Sequence, residues 1–538
     1  MSIVLPELYD APGMTWGPPS TEATKYSLSL DLYNKADKIT KIADFLEDFE
    51  EEKPQYAAGF RVENTAQLQA LDRQKRTKEL PGMRGRGRGG AQGRGGAQQQ
   101  NQQRGGRGGR GGKTWQRREI IHRASSITLS DDCKIFQRFN LMDFQKLSAP
   151  TPPASDVRVV GRARQYNTAL DSASPKKPIA VGDHSNVDFQ RLSLSDPIIR
   201  QIATSAAAAD IPVVFTTDAV IAHLMTCNRS VNSWDVEFRQ FKRFTFIDIR
   251  EESLLDSQWV DETAGHEMPN DLDEKSIDNN TNLGRESTRV CKYFQEDSRL
   301  KSVFQGFKAE KSPFDRQTDG AKPPSTIYRY RKWTVDEGKP SAYQVVVRCE
   351  VDCIQPKQGK SDEGLFVRSF GLLERPGSEW KSRLEKERGK VMIQEIKKNS
   401  HKFAKWVVMS ILSGADVMKV GFITRRQVGD NTKHQVLHVD TFAPIDFSSK
   451  IGVKVDQIWG TFHLLLGTFR AFIESKKKTV GERDVWRAGL LKDPNNPSMV
   501  MFDLPDEDSS SDDSDSDSDS DSSSDSGSGS SSSSSDSD

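Results

Sequence analysis

The sequence has few cysteines and no long apolar run. Its five cysteines form no Cys-x-x-Cys pair, which argues against both a disulfide framework and a structural zinc site. The longest apolar stretch, at 406–412, is far shorter than the ~20 residues that span a bilayer. The first ten residues lack a basic region followed by an apolar one, so we expect no secretory signal. These absences predict a soluble intracellular protein with no membrane partner.

Positive and negative charges balance only over the whole chain, which has 77 Lys and Arg against 77 Asp and Glu. Residues 506–538 hold 12 acids, 19 serines and no basic residue, which leaves 65 acids against 77 basic residues before them. Because like charges repel, we predict that 506–538 is a disordered acidic tail. Many of its serines precede an acid by three residues, as Ser509 precedes Asp512, which is typical of sites for acidophilic kinases. A phosphorylated, regulatory tail and a merely solubilising one both remain open.

The basic excess is concentrated in residues 84–118, where Arg-Gly and Arg-Gly-Gly repeats surround a glutamine-rich run. These repeats hold no side chain that builds a core, so we predict a disordered, flexible tract. A guanidinium group pairs with phosphate bidentately and stacks on nucleobases, so the tract is predicted to bind RNA with little sequence preference. Its alternative role is a flexible, methylatable linker. The arginines concerned are Arg84, Arg86, Arg88, Arg94, Arg104, Arg107 and Arg110.

The rest of the chain divides by composition into an arm, a linker and one folded domain. Residues 1–83 mix proline, glycine and charge with isolated apolar residues, which favours either an extended arm that docks on other proteins or a disordered leader. We expect a linker at 119–155 and the folded domain at 156–505. Within the domain, the acidic segment 251–282 is predicted to be a long surface excursion.

Hydrophobic patterns in the folded domain mix strands and helices without regular alternation. This mixture predicts an α+β fold, with a mixed β-sheet core flanked by helices. Strand-like runs occur at 211–215, 244–249, 327–333, 343–353, 417–424 and 436–442. Helical periodicity occurs at 197–209, 219–228, 380–412 and 455–476.

Two patterns on predicted strands each allow a functional and a structural interpretation. From Tyr328 to Trp333, aromatic and basic residues interleave, which suits a surface that stacks bases and equally a half-buried sheet with an aromatic core face. His434 and His438 have the spacing of a zinc pair on a helix. Because their segment has strand periodicity and no local acid or cysteine completes a ligand set, we predict surface or core histidines.

A pair of acids ends the most apolar predicted strand. Glu350 and Asp352 flank one residue, so strand alternation places both carboxylates on one face, a spacing that suits a divalent metal. A nuclease needs a further acid, and Glu395 stands in a Glu-x-Lys sequence, although within a helical pattern. The sequence has no Ser/His/Asp elbow, Walker loop or Rossmann fingerprint. We therefore expect no catalytic residue, metal or cofactor, and keep a metal-dependent nuclease as the alternative.

Several ordered segments together resemble one family, the D-type subunits of the eukaryotic translation initiation factor 3 complex, over nearly the whole chain. The Arg-Gly-Gly tract is a departure from the animal members. The resemblance implies a cytoplasmic, RNA-binding subunit that loads selected capped messages onto the 40S ribosomal subunit within a 43S preinitiation complex, with other subunits of the factor as partners. The segments are Trp-Gly-Pro at 16–18, Lys-Ile-Ala-Asp at 41–44, Cys-Asn-Arg-Ser-Val at 227–231, Ser-Trp-Asp at 233–235, Tyr-Arg-Tyr-Arg-Lys-Trp at 328–333, Val-Val-Arg-Cys-Glu at 346–350 and Leu-Lys-Asp-Pro-Asn at 491–495.

The resemblance also implies that 156–505 is a cap-binding domain similar in fold to the decapping exonucleases. In those enzymes an acid pair like Glu350 and Asp352 is followed by a Glu-x-Lys strand, and the corresponding strand here, 366–370, presents Arg368 instead. A guanidinium at that position repels a metal cation, so the resemblance favours holding capped RNA over cutting it. A decapping nuclease and a scaffold that tethers RNA only through the Arg-Gly tract remain the alternatives.

Matching positions imply a cap-binding set and a gate over the RNA channel near 254–268. The family carries Asn and His at the positions of Cys291 and Lys292, so the cap contacts there differ. Acids of the gate could compete with RNA phosphates for one basic groove, which would keep the channel closed until a partner moves the gate. The implied cap-binding residues are Asp218, Val231, Asn232, Thr288, Cys291 and Lys292. The implied gate residues are Leu254, Asp256, Asp261, Glu262, Glu267 and Met268.

Overall fold

Sixteen strands and seven α-helices make up the part of the chain that the computed structural model describes, namely residues 126–129, 133–187, 189, 194, 196–206, 211–250, 253, 255–263, 276–314, 326–339, 341–494, 496 and 498–504. The strands are β1 (Ile135–Asn140), β2 (Ala154–Gly161), β3 (Arg164–Tyr166), β4 (Ile179–Ala180), β5 (Val213–Thr217), β6 (Trp234–Phe241), β7 (Phe244–Asp248), β8 (Arg299–Val303), β9 (Ile327–Val335), β10 (Tyr343–Val351), β11 (Cys353–Lys357), β12 (Lys360–Leu373), β13 (Val417–Arg425), β14 (His434–Phe442), β15 (Val485–Lys492) and β16 (Ser498–Asp503). The helices are α1 (Pro197–Ala206), α2 (Asp218–Met225), α3 (Asn280–Asp297), α4 (Trp380–Lys398), α5 (Ser400–Ser413), α6 (Pro444–Lys450) and α7 (Val455–Val480).

The strands form two mixed sheets. The larger has nine strands in the order β1-β16-β15-β6-β7-β5-β10-β9-β2, and β5 is parallel to both of its neighbours, β7 and β10. The smaller has seven strands in the order β4-β14-β13-β12-β11-β3-β8, with β12 parallel to β13. Strands β10 and β11 follow one another in the chain but belong to different sheets. The predicted α+β fold with a mixed-sheet core flanked by helices is confirmed.

Helix α5 joins the two sheets. Twelve of its 14 residues are buried, which is the pattern of a helix surrounded by core on every side. Trp406 of α5 stacks on Phe370 of β12, with ring centroids 4.8 Å apart. One hydrophobic cluster includes these two residues together with Val345 and Val347 of β10. The largest core of the described residues therefore lies between the sheets and around α5.

Several predicted elements have different boundaries in the structure. The helical pattern at 380–412 is two helices, because Asn399 leaves helical geometry and separates α4 from α5. The predicted strand at 343–353 is divided at Asp352, where the chain passes from β10 to β11. Part of the predicted linker at 119–155 is instead sheet, because β1 pairs with β16 over 135–140. None of the described helices is long and apolar enough to cross a membrane.

The described part of the predicted surface excursion at 251–282 is not a surface segment. Leu255, Trp259 and Val260 are buried, and Leu255 belongs to the main core cluster. Helix α3 also begins at Asn280, inside the excursion. The prediction was wrong because the average composition of this segment is acidic, whereas its position is decided by the few large side chains that pack inward.

The interleaved residues of β9 follow the structural interpretation. Tyr328, Tyr330 and Trp333 are buried in core clusters, so these rings do not stack RNA bases. Arg329 and Arg331 each donate hydrogen bonds to backbone carbonyls at the C-terminal end of α5. Since the last four carbonyls of a helix have no partner within the helix, these two arginines stabilise that end.

Candidate functional site

Three acidic side chains come together where both sheets meet α2. Strand β5 runs parallel to β10, with Thr217 opposite Arg348, and the next residue, Asp218, begins α2. This places the Asp218 carboxylate beside the end of β10, where its Oδ2 accepts a hydrogen bond from the Glu350 N–H at 3.0 Å. Asp352 follows at the passage from β10 to β11. Both predicted partners, Glu350 and Asp352, therefore do share one site.

Arg368 on β12 lies between these three acids. Its nitrogen atoms are 3.6 Å from Asp218 Oδ2, 3.6 Å from Glu350 Oε2 and 3.9 Å from Asp352 Oδ2. The guanidinium is fully buried, and none of its three nitrogens has a hydrogen-bond partner among the described residues. Pairing of β12 with β11 fixes this position, because Val367 lies opposite Cys353 and the Ser369 N–H donates to Asp352 Oδ2 at 2.7 Å. We call Arg368 and its three acids the Arg368 cluster.

The pKa values in the Arg368 cluster show how the charges depend on one another. Burial raises the pKa of Asp218 to about 6, although Arg368 opposes that rise. Burial also acts to raise the pKa of Glu350, but Lys292 and Arg368 outweigh it and hold this pKa below its ordinary value. Burial acts to lower the pKa of Arg368, whereas the three acids raise it above its ordinary value. Arg368 therefore stays charged at any physiological pH.

The donor set of the Arg368 cluster does not fit a divalent metal. A Mg²⁺ or Ca²⁺ ion needs several oxygen ligands at about 2.0–2.6 Å, whereas here a fixed positive charge already lies within 4 Å of every carboxylate. Arg299 adds a second cation, with its Nη2 2.8 Å from Asp352 Oδ1. Across the described residues, no group of three His, Cys, Asp or Glu side chains is arranged to hold a metal ion.

The other residues considered as metal ligands lie elsewhere and have their own partners. Glu395 is buried in α4, where Asn399 Nδ2 donates to its Oε2 at 3.3 Å, and burial raises its pKa to about 7. His434 is bonded to Glu286 at 2.7 Å, and His438 to Asp440 at 2.9 Å. The two histidines thus bind separate acids, as core and surface histidines do, and the zinc alternative is wrong.

Three of the six predicted cap-binding residues lie in or next to the Arg368 cluster, and a fourth lies one helical turn away. Asp218 belongs to it, and Lys292 on α3 is near enough to lower the pKa of Glu350. Cys291 is buried against β12, where its Sγ accepts a hydrogen bond from the Gly371 N–H at 3.3 Å. Thr288, one turn earlier on α3, accepts a hydrogen bond from the Gln258 N–H at 3.1 Å through its Oγ1. Helix α3 thus connects the cluster to the predicted gate.

Val231 and Asn232 occupy a different position. They are buried in the loop between the 3-10 turn that follows α2 and the start of β6, which is the far end of α2 from Asp218. Ser230 Oγ donates to the Asn232 carbonyl at 3.3 Å, which shapes this loop. The structure therefore brings these two residues to the site only through α2, and not into the Arg368 cluster itself.

The described part of the predicted gate, 255–263, is packed against α4 and α5. Asp261 pairs with Arg375 at 3.1 Å and with Lys398 at 4.0 Å. Asp256 pairs with Lys405 at 3.4 Å. Leu254, Glu267 and Met268 of the gate lie outside the described residues, as do all seven arginines of the Arg-Gly tract.

Glu262 attaches this segment to the start of α5. Its carboxylate accepts hydrogen bonds from the His401 and Lys402 N–H groups, both at 3.0 Å, and so caps the N-terminus of α5. The unpaired N–H groups and the helix dipole favour an anion at this position. Burial raises the pKa of Glu262 to about 7 even though Lys402 and both N–H groups lower it. An acid of the gate therefore occupies a position that suits a phosphate.

Sequence reasoning missed the buried cations that support this site. Arg299 and Lys402 are almost fully buried, and Lys402 Nζ donates to the Trp259 carbonyl. Composition alone does not distinguish such residues from surface cations. The available signal was positional, since Lys402 follows the helix break at Asn399 by three residues and so belongs to the first turn of a new helix.

Comparisons with known proteins agree with the resemblance. The family model for eukaryotic translation initiation factor 3 subunit 7 matches residues 3–503. The D-type subunit of this factor from Nasonia vitripennis is 30% identical over 73% of this chain and 68% of its own length, and that from Bombyx mori is 27% identical over 94% and 92%.

Among solved structures, Candida albicans Rai1 in complex with pU5 and Mn²⁺ covers 69% of this chain and 94% of its own, with a TM-score of 0.40 and 11% identity. Rai1 from S. pombe gives a TM-score of 0.37 with 12% identity over 69% of this chain and 99% of its own. At these low values nothing about the activity of Rai1 transfers to this protein. The match over residues 3–503 shows that the chain belongs to the eukaryotic translation initiation factor 3 subunit 7 family.

Proposed function

We propose that the protein is a cap-binding and RNA-binding subunit of translation initiation factor 3 that promotes cap-dependent recruitment of selected messages to the 40S ribosomal subunit. It acts in the cytoplasm with other subunits of the factor and binds capped RNA without cleaving it. Family membership supports the role in initiation. The expected cap-binding residues and the surroundings of the Arg368 cluster support the RNA-binding part.

One observation carries the proposal, namely the position of Arg368 among three carboxylates. Two of these acids, Asp218 and Asp352, are almost fully buried, whereas the Glu350 side chain is 35% exposed. Glu350 is therefore the acid of the cluster that a ligand can reach, and its lowered pKa keeps it ionised. A carboxylate of this kind can accept hydrogen bonds from the base edge of a methylated guanine. Arg368 holds that carboxylate in place and repels a metal.

The gate completes the proposed mechanism. Its Glu262 carboxylate lies at the N-terminus of α5, and Asp256 and Asp261 neutralise Lys405, Lys398 and Arg375. RNA phosphates would bind the same groups, because they carry the same charge as these acids. The packed gate segment is then the closed state, and a partner that moves it would expose the basic groups to RNA.

Crosslinking of the full-length protein to cap-labelled RNA tests the proposal. We expect a crosslink that excess methylated cap analogue abolishes and unmethylated analogue does not. Lys292→Ala should weaken it, because Lys292 supports the charge of Glu350. Lys478→Ala, an exposed lysine at the end of α7, is the matched control and should leave the crosslink unchanged. Equal crosslinking to capped and uncapped RNA would contradict cap recognition.

Two further arms separate the alternatives. Capped RNA incubated with the protein and Mg²⁺ or Mn²⁺ should remain intact, whereas cleavage that disappears in Glu350→Ala would identify a decapping nuclease. Deletion of 84–112 should leave the cap-competed crosslink in place. If that deletion removes all binding, the protein is a scaffold that tethers RNA only through its Arg-Gly tract.

A further inference from the structure

Three aromatic side chains cluster at the surface beside α3. His184 and Phe189, from the segment after β4, both contact Tyr293 of α3. The His184 and Tyr293 ring centroids are 5.6 Å apart with their planes 82° apart, and those of Phe189 and Tyr293 are 5.8 Å apart with planes at 39°. All three residues are half-buried, and the His184 side chain is 24% exposed. Aromatic side chains on which bases stack are a feature of proteins that bind single-stranded nucleic acid.

Hydrogen bonds hold the His184 ring in position. Its Nε2 lies 2.8 Å from Oδ1 of Asp297, the last residue of α3, and the Gly182 N–H donates to Asp297 Oδ2 at 2.9 Å. Gly182 permits this close approach, since a Cβ there would lie 2.7 Å from the Asp297 carboxylate and 2.9 Å from the His184 ring. The bond to Asp297 raises the pKa of His184 above its ordinary value. The edge of the cluster is therefore fixed before any ligand binds.

Cations lie on the same side of α3 as the rings. At 3.6 residues per turn, positions 289, 292 and 293 fall within roughly a third of the helix circumference. Arg289 is exposed, with one hydrogen bond from its Nη2 to the Asn431 carbonyl at 2.5 Å. Lys292 is half-buried and acts electrostatically on Glu350. Two acids adjoin the rings: Asp297, which is bonded to His184, and Asp183, whose carboxylate accepts a hydrogen bond from the Ser185 N–H at 3.0 Å.

We propose that His184, Phe189 and Tyr293 form a stacking platform for a base of single-stranded RNA, and that Arg289 and Lys292 bind the adjoining phosphates. The inference rests on the proposed RNA-binding function. It adds a site that shares only Lys292 with the expected cap-binding residues. Aromatic rings beside cations are the arrangement with which proteins hold unpaired strands with little sequence preference. The platform would hold the message body as it leaves the cap along α3.

Site-specific photocrosslinking tests the platform, because the Arg-Gly tract would mask a local loss in a simple affinity measurement. The full-length protein is irradiated with an uncapped oligouridine RNA containing 4-thiouridine, and adducts are located by mass spectrometry. We expect adducts on the peptides that contain Tyr293 and Phe189. Tyr293→Leu should reduce the adduct yield at Phe189 at least about fivefold, the lower limit for losing one stacked ring, whereas Tyr293→Phe should preserve it.

The matched control is Phe307→Leu, which removes one ring of another half-buried pair, that of Phe307 with Phe366 at 5.2 Å. It should leave the adduct yield at Phe189 unchanged. Adducts confined to the Arg-Gly tract, or an equal loss in Tyr293→Leu and Phe307→Leu, would overturn the inference. Adducts at the platform that survive excess cap analogue support the inference, whether or not the protein recognises the cap. Cap recognition is measured separately, by the crosslink to cap-labelled RNA.

Discussion

Lys292 lies between the Arg368 cluster and the outer face of α3, which is the face that carries Arg289 and Tyr293. The two regions use positive charge in opposite ways. In the cluster a fully buried guanidinium is surrounded by three carboxylates, and none of its nitrogens donates a hydrogen bond to a described residue. On the outer face, Arg289 is exposed and lies close to half-buried aromatic rings. In the cluster three acids surround the cation, whereas the outer face of α3 presents its cations to a ligand.

The difference teaches how to interpret a cation beside acids. A buried charge is tolerated only when opposite charges compensate it, so Arg368 is committed to its acids and cannot also bind phosphate. An exposed cation keeps its water and can exchange it for a phosphate group. In the proposed function the cluster therefore offers a ligand only the Glu350 carboxylate, whereas the outer face of α3 offers cations to phosphate groups.

The largest effect is expected from removing the central charge. Arg368→Met leaves Asp218, Asp352 and Glu350 facing one another without compensation, and breaking a buried pair in this way typically lowers the free energy of unfolding by about 3–5 kcal/mol. Chemical denaturation followed by tryptophan fluorescence measures the change. The control is Arg388→Met, because the Arg388 side chain is 59% exposed and lies 3.9 Å from Asp440.

For the control, Arg388→Met, we expect the free energy of unfolding to change by no more than about 0.5 kcal/mol, as for surface substitutions. Equal stability of Arg368→Met and the wild type would show that the guanidinium is dispensable to the acids. In that case the cluster would not be a closed structural unit, and the contrast with α3 would no longer hold.

The sequence predicted the sheets better than it predicted the charges. Val345 and Val347 gave β10 a strong apolar pattern, and the position of Arg368 was inferred from the resemblance to a family. Helix α3 was not assigned from periodicity, because its apolar residues form a narrow stripe among polar ones. The partners of Arg368 could not be predicted from spacing, since Asp218 lies far away in the chain and meets it only through sheet pairing.

The attachment of the gate could not be predicted for a related reason. The acids of 255–263 were expected to compete with phosphates, but the role of Glu262 at the start of α5 depends on the helix break at Asn399. Within one continuous helix at 380–412, as periodicity suggested, no free N–H groups would exist there. Capping interactions depend on where helices end, which is the least certain part of any prediction from sequence.

A second test of the comparison concerns a buried anion, Glu262, and uses the dependence of stability on pH. The pKa of Glu262 is about 7 in the folded protein and 4.5 ordinarily, so the folded state binds its proton more tightly than the unfolded state. Between about pH 4.5 and 7 this group therefore lowers the free energy of unfolding as the pH rises. Asp218 and Glu395, with pKa values raised to about 6 and 7, act in the same direction.

Glu262→Gln cannot titrate, so its free energy of unfolding should fall by about 1–3 kcal/mol less than that of the wild type between pH 5 and pH 8. Urea unfolding at a series of pH values measures how the free energy of unfolding depends on pH in the variant and in the wild type. Glu474→Gln, on the exposed side of α7, should keep the slope of the wild type. Parallel curves for Glu262→Gln and the wild type would mean that the gate acid carries no buried charge.

The smallest effect is expected at the exposed cation of α3. Arg289→Ala should leave stability within about 0.5 kcal/mol of the wild type, because its side chain makes one hydrogen bond at the surface. It should still reduce the salt dependence of RNA binding, by about 0.7 in the slope of log K against log salt concentration, because one phosphate contact is lost. Fluorescence anisotropy with uncapped oligouridine at several salt concentrations gives this slope. It is measured in protein that lacks residues 84–112, because the Arg-Gly tract would mask a local loss, and Lys478→Ala in the same background is the control. The buried and the exposed arginine then differ in kind, because loss of Arg368 would lower stability and loss of Arg289 would weaken only RNA binding. An unchanged salt slope in Arg289→Ala would remove α3 from the RNA-binding surface.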